Sequence, residues 1–232
     1  MGKISKFING EYVGEVQDDV KVLGKPFLAV YGESEPKHLE NDYVVSWPLC
    51  GKLKLYIRYE MAPEVMELLE KDAKSEARSC SCVLTGRMME HYHLNPAEEM
   101  QKAVENMRDR FRVEPIGSVL SDMKSMPINL MEILPSDHPF RQISVVRTDV
   151  FSERFGAGVI GSKTILESIR KEKGDFYIIP SSIHELIIVP ASLGGTEGLT
   201  EMIKEVNSTV LEPEDILANE LYKYDETGLY VA

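Results

Sequence analysis

The stretch FYIIPSSIHELIIV, Phe176 to Val189, decides the fold. Phe176–Ile179 and Glu185–Val189 are short apolar runs, and each reads as a strand. Pro180, Ser181, Ser182, Ile183 and His184 join them. A link that short cannot hold the crossover a parallel pair requires, so the two strands are antiparallel neighbours. Upstream, Ile143–Arg147 reads as a strand. Ala157–Ile160 reads as another and feeds a helix from Lys163 to Lys173, which Gly174 ends as a left-handed cap would. Downstream, a helix is expected over Glu197–Asn207 with Leu199, Met202, Ile203 and Val206 inward. A further helix is expected over Pro213–Tyr222, then a small edge strand at Gly228–Val231. Residues 138–232 therefore read as an α+β domain with a mainly antiparallel sheet.

The N-terminal part reads as an antiparallel β-rich segment followed by two helices. Asn9-Gly10 lies between Lys6–Ile8 and Tyr12-Val13, and Asn-Gly tolerates the positive φ of a tight hairpin. Pro26–Tyr31, Tyr43–Trp47 and Leu53–Tyr59 are further strand candidates. The last alternates Leu53, Leu55, Ile57 and Tyr59 against Lys52, Lys54, Tyr56 and Arg58, which predicts one face on a core and one in water. A first helix starts near Ala62-Pro63-Glu64 and carries Val65, Met66, Leu69, Ala73 and Ala77. A second starts at the cap Asn95 with Pro96 in its first turn, and Met100, Ala103, Val104 and Met107 form its stripe. Pro115, Gly117, Pro127 and Pro135 mark residues 113–137 as a connector, with a short helix over Ile116–Met123. The expected organisation is a unit at 1–112, the connector, and the domain at 138–232.

Composition sets the classes of function. Of 232 residues, 43% are apolar and 28% charged, which excludes a wholly disordered chain or a fibre. The formal charge of −12 works against direct nucleic-acid binding. The acidity is concentrated in residues 113–232, mostly from Glu197 to Glu226. It reads as a solvated face, as a docking face for a basic partner, or as a mimic of nucleic-acid charge. Cys50, Cys80 and Cys82 form an odd set without framework spacing, as reduced cytosolic thiols would. The N-terminus shows no signal-peptide stretch, and Lys6 stands where a Gly2 myristoylation motif needs Ser or Thr. The expected location is cytoplasmic, with no membrane association.

Several constellations bear on chemistry. Ser181, Ser182, His184 and Glu185 sit together; a serine activated by histidine and a carboxylate is a hydrolase arrangement. The nucleophile-elbow motif is absent, so the plainer reading is a polar turn, which is also the first choice for a binding loop. Gly156–Gly161 fits G-x-G-x-x-G, but no apolar strand precedes it and no acidic residue follows at the right place, so a dinucleotide loop is rejected. Gly161-Ser162-Lys163-Thr164 fails P-loop spacing. Cys80, Cys82, His91 and His93 would share one face in a hairpin but diverge if the region is helical, and no metal is assigned. Lys52, Lys54, Tyr56 and Arg58 make a basic face that reads as the solvent side of a sheet. The eleven methionines read as core filler or, second, as a partner groove.

DFYIIPSSIHELIIVP (Asp175–Pro190), MIKEVN (Met202–Asn207), LEPEDIL (Leu211–Leu217) and LYKYD (Leu221–Asp225) together resemble the bacterial domain-of-unknown-function family numbered 5688. The likeness covers residues 138–225, with a weaker echo from Asn95 that includes EEMQKAVENM, and does not take in residues 1–90. It implies a fold unit and no activity, substrate or cofactor. The expected function is a non-catalytic protein-binding module, without cofactor, and with Ser181, Ser182, His184 and Glu185 as the candidate loop. The alternatives are a small hydrolase using Ser181 or Ser182 with His184, and an acidic inhibitor of a nucleic-acid site.

Overall fold

The computed structural model describes residues 3–8, 11–17, 23–32, 42–62, 81–108, 110–122, 134–148, 155–209, 211–213 and 215–232. The fold is α+β, and every strand pair among the described residues is antiparallel. Strands β1 (Lys3–Ile8) and β2 (Glu11–Gln17) form the hairpin that Asn9-Gly10 announces; the two turn residues lie outside the described ones. In a second sheet, β5 (Leu53–Met61) pairs with β3 (Leu23–Tyr31) along one edge. On its other edge it pairs with β4 (Ser46–Cys50) and, further along, with β6 (Ser81–Val83). Helices α1 (Gly86–His91) and α2 (Pro96–Arg108) follow. Asn95 caps α2 by accepting the Ala97 N–H at 3.0 Å.

The third sheet has six strands. They are β7 (Phe111–Pro115), β8 (Ser144–Thr148), β9 (Phe176–Ile179), β10 (Leu186–Pro190), β11 (Tyr222–Asp225) and β12 (Gly228–Val231), in the order β12-β11-β9-β10-β8-β7. Between its strands run α3 (Ile116–Asp122), α4 (Lys163–Lys173) and α5 (Leu199–Thr209). The central hairpin β9–β10 pairs as its short link requires, Ile187 opposite Ile179 and Val189 opposite Tyr177. Both faces of the hairpin are covered, which is why β10 is apolar at every position. Phe176, Ile178, Leu186, Ile188, Tyr222 and Tyr224 point to the main core; Ile179, Val189 and Leu221 form a small second cluster with Ile203 of α5.

The main core joins the two larger sheets. Buried residues of β3 and β5, of α2, of α4 and of the six-stranded sheet belong to one apolar cluster. So side chains from 1–112 and from 138–232 pack together. A wedge lies between the sheets: Ala157–Ile160 is not a strand but part of a buried 3-10 helix, Gly156–Gly161. A Cβ on Gly158 would strike the Leu28 carbonyl of β3, and one on Gly156 would strike the His184 carbonyl. Backbones that approach so closely leave room only for glycine.

Other elements differ from expectation. The helix expected over Pro213–Tyr222 is absent among the described residues. The Asp215 carbonyl there accepts from the Ile183 N–H, the Ala218 carbonyl accepts from the Asn207 amide, and Tyr222 is already in β11. The strand at Tyr43–Trp47 is shifted to Ser46–Cys50, with Val44 making only a bridge to Thr85. Phe111–Pro115, which crosses the expected boundary between the 1–112 unit and the connector, is a strand. The helix expected from Ala62 to Ala77 lies outside the described residues. Among the described residues no helix is long and apolar enough to cross a membrane.

Candidate functional site

The turn Pro180–Glu185 folds inward. The Ser182 Oγ is buried and accepts the His184 backbone N–H at 3.1 Å, a local bond typical of serine in turns. The Ser182 N–H donates to the Glu185 carbonyl, and the Ala157 N–H donates to that of Ile183. The His184 imidazole has both nitrogens engaged. Nδ1 accepts the Phe155 N–H at 3.3 Å, and Nε2 lies 3.3 Å from the Asp215 carboxylate. Accepting at Nδ1 puts the neutral ring's proton on Nε2, on the side of the Asp215 carboxylate. Ser181 and Glu185 are half-buried. The structure therefore brings Ser182 and His184 together through the backbone, and the serine hydroxyl does not meet the imidazole. A general base needs a free nitrogen within reach of the proton it takes, and this ring offers none to either serine.

His184 leads to a cluster that periodicity alone does not reveal. Its ring meets Phe155 edge-on at 6.0 Å. Phe155 has φ 62, in the left-handed region where a bulky side chain is strained by about 1–3 kcal/mol. That backbone places its ring under the Arg58 guanidinium, 4.5 Å from carbon to centroid, a contact worth about 0.5–2 kcal/mol. Arg58 donates Nε–H to the Ser81 Oγ at 3.0 Å, Nη2–H to the Ser81 carbonyl at 3.1 Å, and Nη1–H to the Tyr31 hydroxyl at 3.1 Å. Tyr31 stands edge-on to Tyr56 at 5.1 Å. Burial pushes the Tyr31 hydroxyl above its ordinary pKa, and the Asp215 charge adds to the rise against the lowering effect of Arg58.

The basic face expected in water is thus covered at its Tyr56–Arg58 end, while Lys52 is exposed and Lys54 half-buried. Tyr56 is only 2% exposed and Arg58 is half-buried. Cross-strand neighbours explain it: Phe27 lies opposite Arg58 and Ala29 opposite Tyr56, and Phe155 packs over Phe27 at 6.0 Å.

The cysteines and histidines do not form the hairpin a shared ion would need. Cys82 is on β6, His91 ends α1 edge-on to Tyr92, and His93 follows the helix with φ 52; Cys80 lies outside the described residues. Among the described residues no group of three or more His, Cys, Asp or Glu is placed to hold an ion. Burial pushes the Cys82 thiol up to about 11, so it is protonated at neutral pH and a poor nucleophile. The buried Gly156–Gly161 turn faces carbonyls of Leu28 and His184 rather than offering amides to a phosphate.

A different surface stands on α5. Ile203 and Asn207 take its buried face, while Met202 and Val206, expected inward, are 43% and 38% exposed. The Asn207 side-chain amide donates to the Ala218 carbonyl and to the Asn219 side-chain oxygen, both at 3.0 Å. Those bonds turn the helix so that half-buried Leu199, Met202 and Val206 form a stripe along one flank, with exposed Glu201 and Glu205 beside it.

A family of unknown function, DUF5688, matches residues 66–226. The match reaches further toward the N-terminus than the likeness read from Asn95 onward. No curated protein matches the chain, and no solved structure matches it.

Proposed function

Because the chain belongs to the family of unknown function DUF5688, which carries no named activity, we propose a role from its own surface: a cytoplasmic, non-catalytic module that binds a basic amphipathic segment of another protein along the flank of α5. The observation that carries this reading is the stripe of Met202 and Val206, two large apolar side chains held in solvent one turn apart beside Glu201 and Glu205. An apolar row edged by carboxylates fits a helix that pairs its own apolar row with lysines or arginines. The polar atoms of Ser182 and His184 are spent inside the protein, so the contact is placed on α5 and not on that turn. The free thiols Cys50 and Cys82 accord with a reducing compartment.

The test uses a labelled leucine–lysine helical peptide and fluorescence anisotropy. The full chain binds it, and Met202→Glu with Val206→Glu weakens binding about 10- to 100-fold. Raised salt weakens it too, as for exposed charges. Equal binding by the double variant, or by a leucine–glutamate peptide of the same spacing, overturns the reading. So does sedimentation showing a dimer that the double variant dissolves, which would assign the flank to a second copy of the chain.

A further inference from the structure

The Arg58 guanidinium is a charge with unused hydrogen-bonding capacity. Three of its five N–H groups are taken, all by neutral oxygens of Ser81 and Tyr31. One N–H on each terminal nitrogen has no acceptor among the described residues, and among them no carboxylate lies within ion-pair distance of Arg58. The Tyr31 hydroxyl accepts from Arg58, which leaves its own proton to give, and that proton too has no acceptor among the described residues. Phe155 closes one face of the guanidinium, so a ligand meets it in its own plane. The strained backbone of Phe155 is kept in place by the bond from its N–H to His184, and His184 is in turn held by Asp215. A half-buried cation that is stacked, fixed by neutral partners and served by a strained residue is an arrangement waiting for a counter-charge.

We propose that Arg58 and Tyr31 form a binding site for a carboxylate, with Phe155 as the platform beneath the guanidinium and His184 as the residue that positions Phe155. A planar carboxylate matches the in-plane donors of arginine and the phenol proton beside them. One cation and one neutral donor suit a single negative charge, and the nearby Asp215 carboxylate disfavours a doubly charged phosphate. This site is separate from the flank of α5.

The experiment follows the Arg58 Nε–H signal by nuclear magnetic resonance while acetate is added to the full chain. Half-saturation at about 1–50 mM is the expectation for so small a ligand. Arg58→Gln abolishes the saturable shift that the wild type shows at the backbone N–H signals of Ser81 and Phe155 beside the guanidinium. Tyr31→Phe, which keeps the cation and its stacking, weakens binding about 3- to 10-fold. A short peptide with a free C-terminus, compared with its amide, shows whether the carboxylate comes from a chain end or from a free acid. The proposal fails if acetate shifts Arg58 no more than the exposed arginines, if Tyr31→Phe binds as wild type does, or if inorganic phosphate binds more tightly than acetate.

Discussion

The two faces of the six-stranded sheet are both apolar, yet they are buried to different ends. The inner face carries Phe176, Ile178, Ile188, Tyr222 and Tyr224 into a core that continues through α4 and the glycine wedge to the four-stranded sheet and α2. The outer face has Ile179, Val189 and Leu221, and α5 answers with Ile203 alone as a fully buried apolar side chain. Asn207 supplies the rest of the attachment through hydrogen bonds rather than area. The difference teaches how a helix can be anchored with part of its apolar stripe left uncovered. Polar bonds to the Ala218–Asn219 segment set its rotation, and Met202 and Val206 remain available.

The largest expected effect tests the contrast directly. Ile188→Ala, at a fully buried inner position, should cost about 4 kcal/mol of unfolding free energy in urea titration. Ile203→Ala on α5 should cost about 2 kcal/mol, because the smaller cluster can collapse around the gap. Equal losses would show that the outer face contributes as much to the fold as the inner one.

A smaller effect is expected at the wedge, where the inner face meets the second sheet. Gly158→Ala drives a methyl into the Leu28 carbonyl, and neither backbone can yield without moving a sheet. The expected cost is about 1–3 kcal/mol. The same variant should widen the gap at Phe155, since the Gly158 N–H donates to the Phe155 carbonyl at 3.0 Å. Near-neutral behaviour in urea titration would mean that the two sheets are not held by this contact.

Much of the fold was legible because the β9–β10 hairpin, the capped helices and the Asn-Gly turn are local signals. What was not legible depended on distant partners. Period-two alternation put Tyr56 and Arg58 in water, and it could not see that Phe155 and Tyr31 close over them. Helical periodicity put Met202 and Val206 inward because they are apolar. It could not weigh Asn207, whose burial is favourable only because the Ala218 carbonyl lies opposite. Val113–Pro115 read as connector because prolines and a glycine follow; in β7 Glu114 is used across strands, accepting from Arg147 Nε at 2.8 Å. The candidate turn was found, as was its histidine. The histidine's partners, Phe155 and Asp215, come from other segments, so the chemistry of the ring could not be read from its neighbours in sequence.

The smallest expected effect lies at the sheet's edge, at the turn where β11 passes into β12 beyond Tyr224. Asp225 accepts from the Tyr230 hydroxyl at 2.5 Å and from the Thr227 hydroxyl and N–H at 2.7 and 2.9 Å. These donors, Tyr230 first, hold its carboxyl well below the ordinary value of 3.8, with Lys223 nearby adding to the effect. A carboxyl lowered by folding binds its proton more readily in the unfolded chain, so stability rises with pH through that range. Its contribution is whole above the ordinary value and is lost as pH falls below it toward the folded one. Asp225→Asn should therefore be less stable than wild type by a constant margin near neutrality, and the margin should close as the medium is acidified below pH 3.8. Thermal melts of the two proteins across an acid series measure it. A margin that stays open in strong acid would show that the Asp225 side chain acts by shape rather than by charge. The hairpin would then share the packing character of the inner face instead of the electrostatic character assigned to the edge.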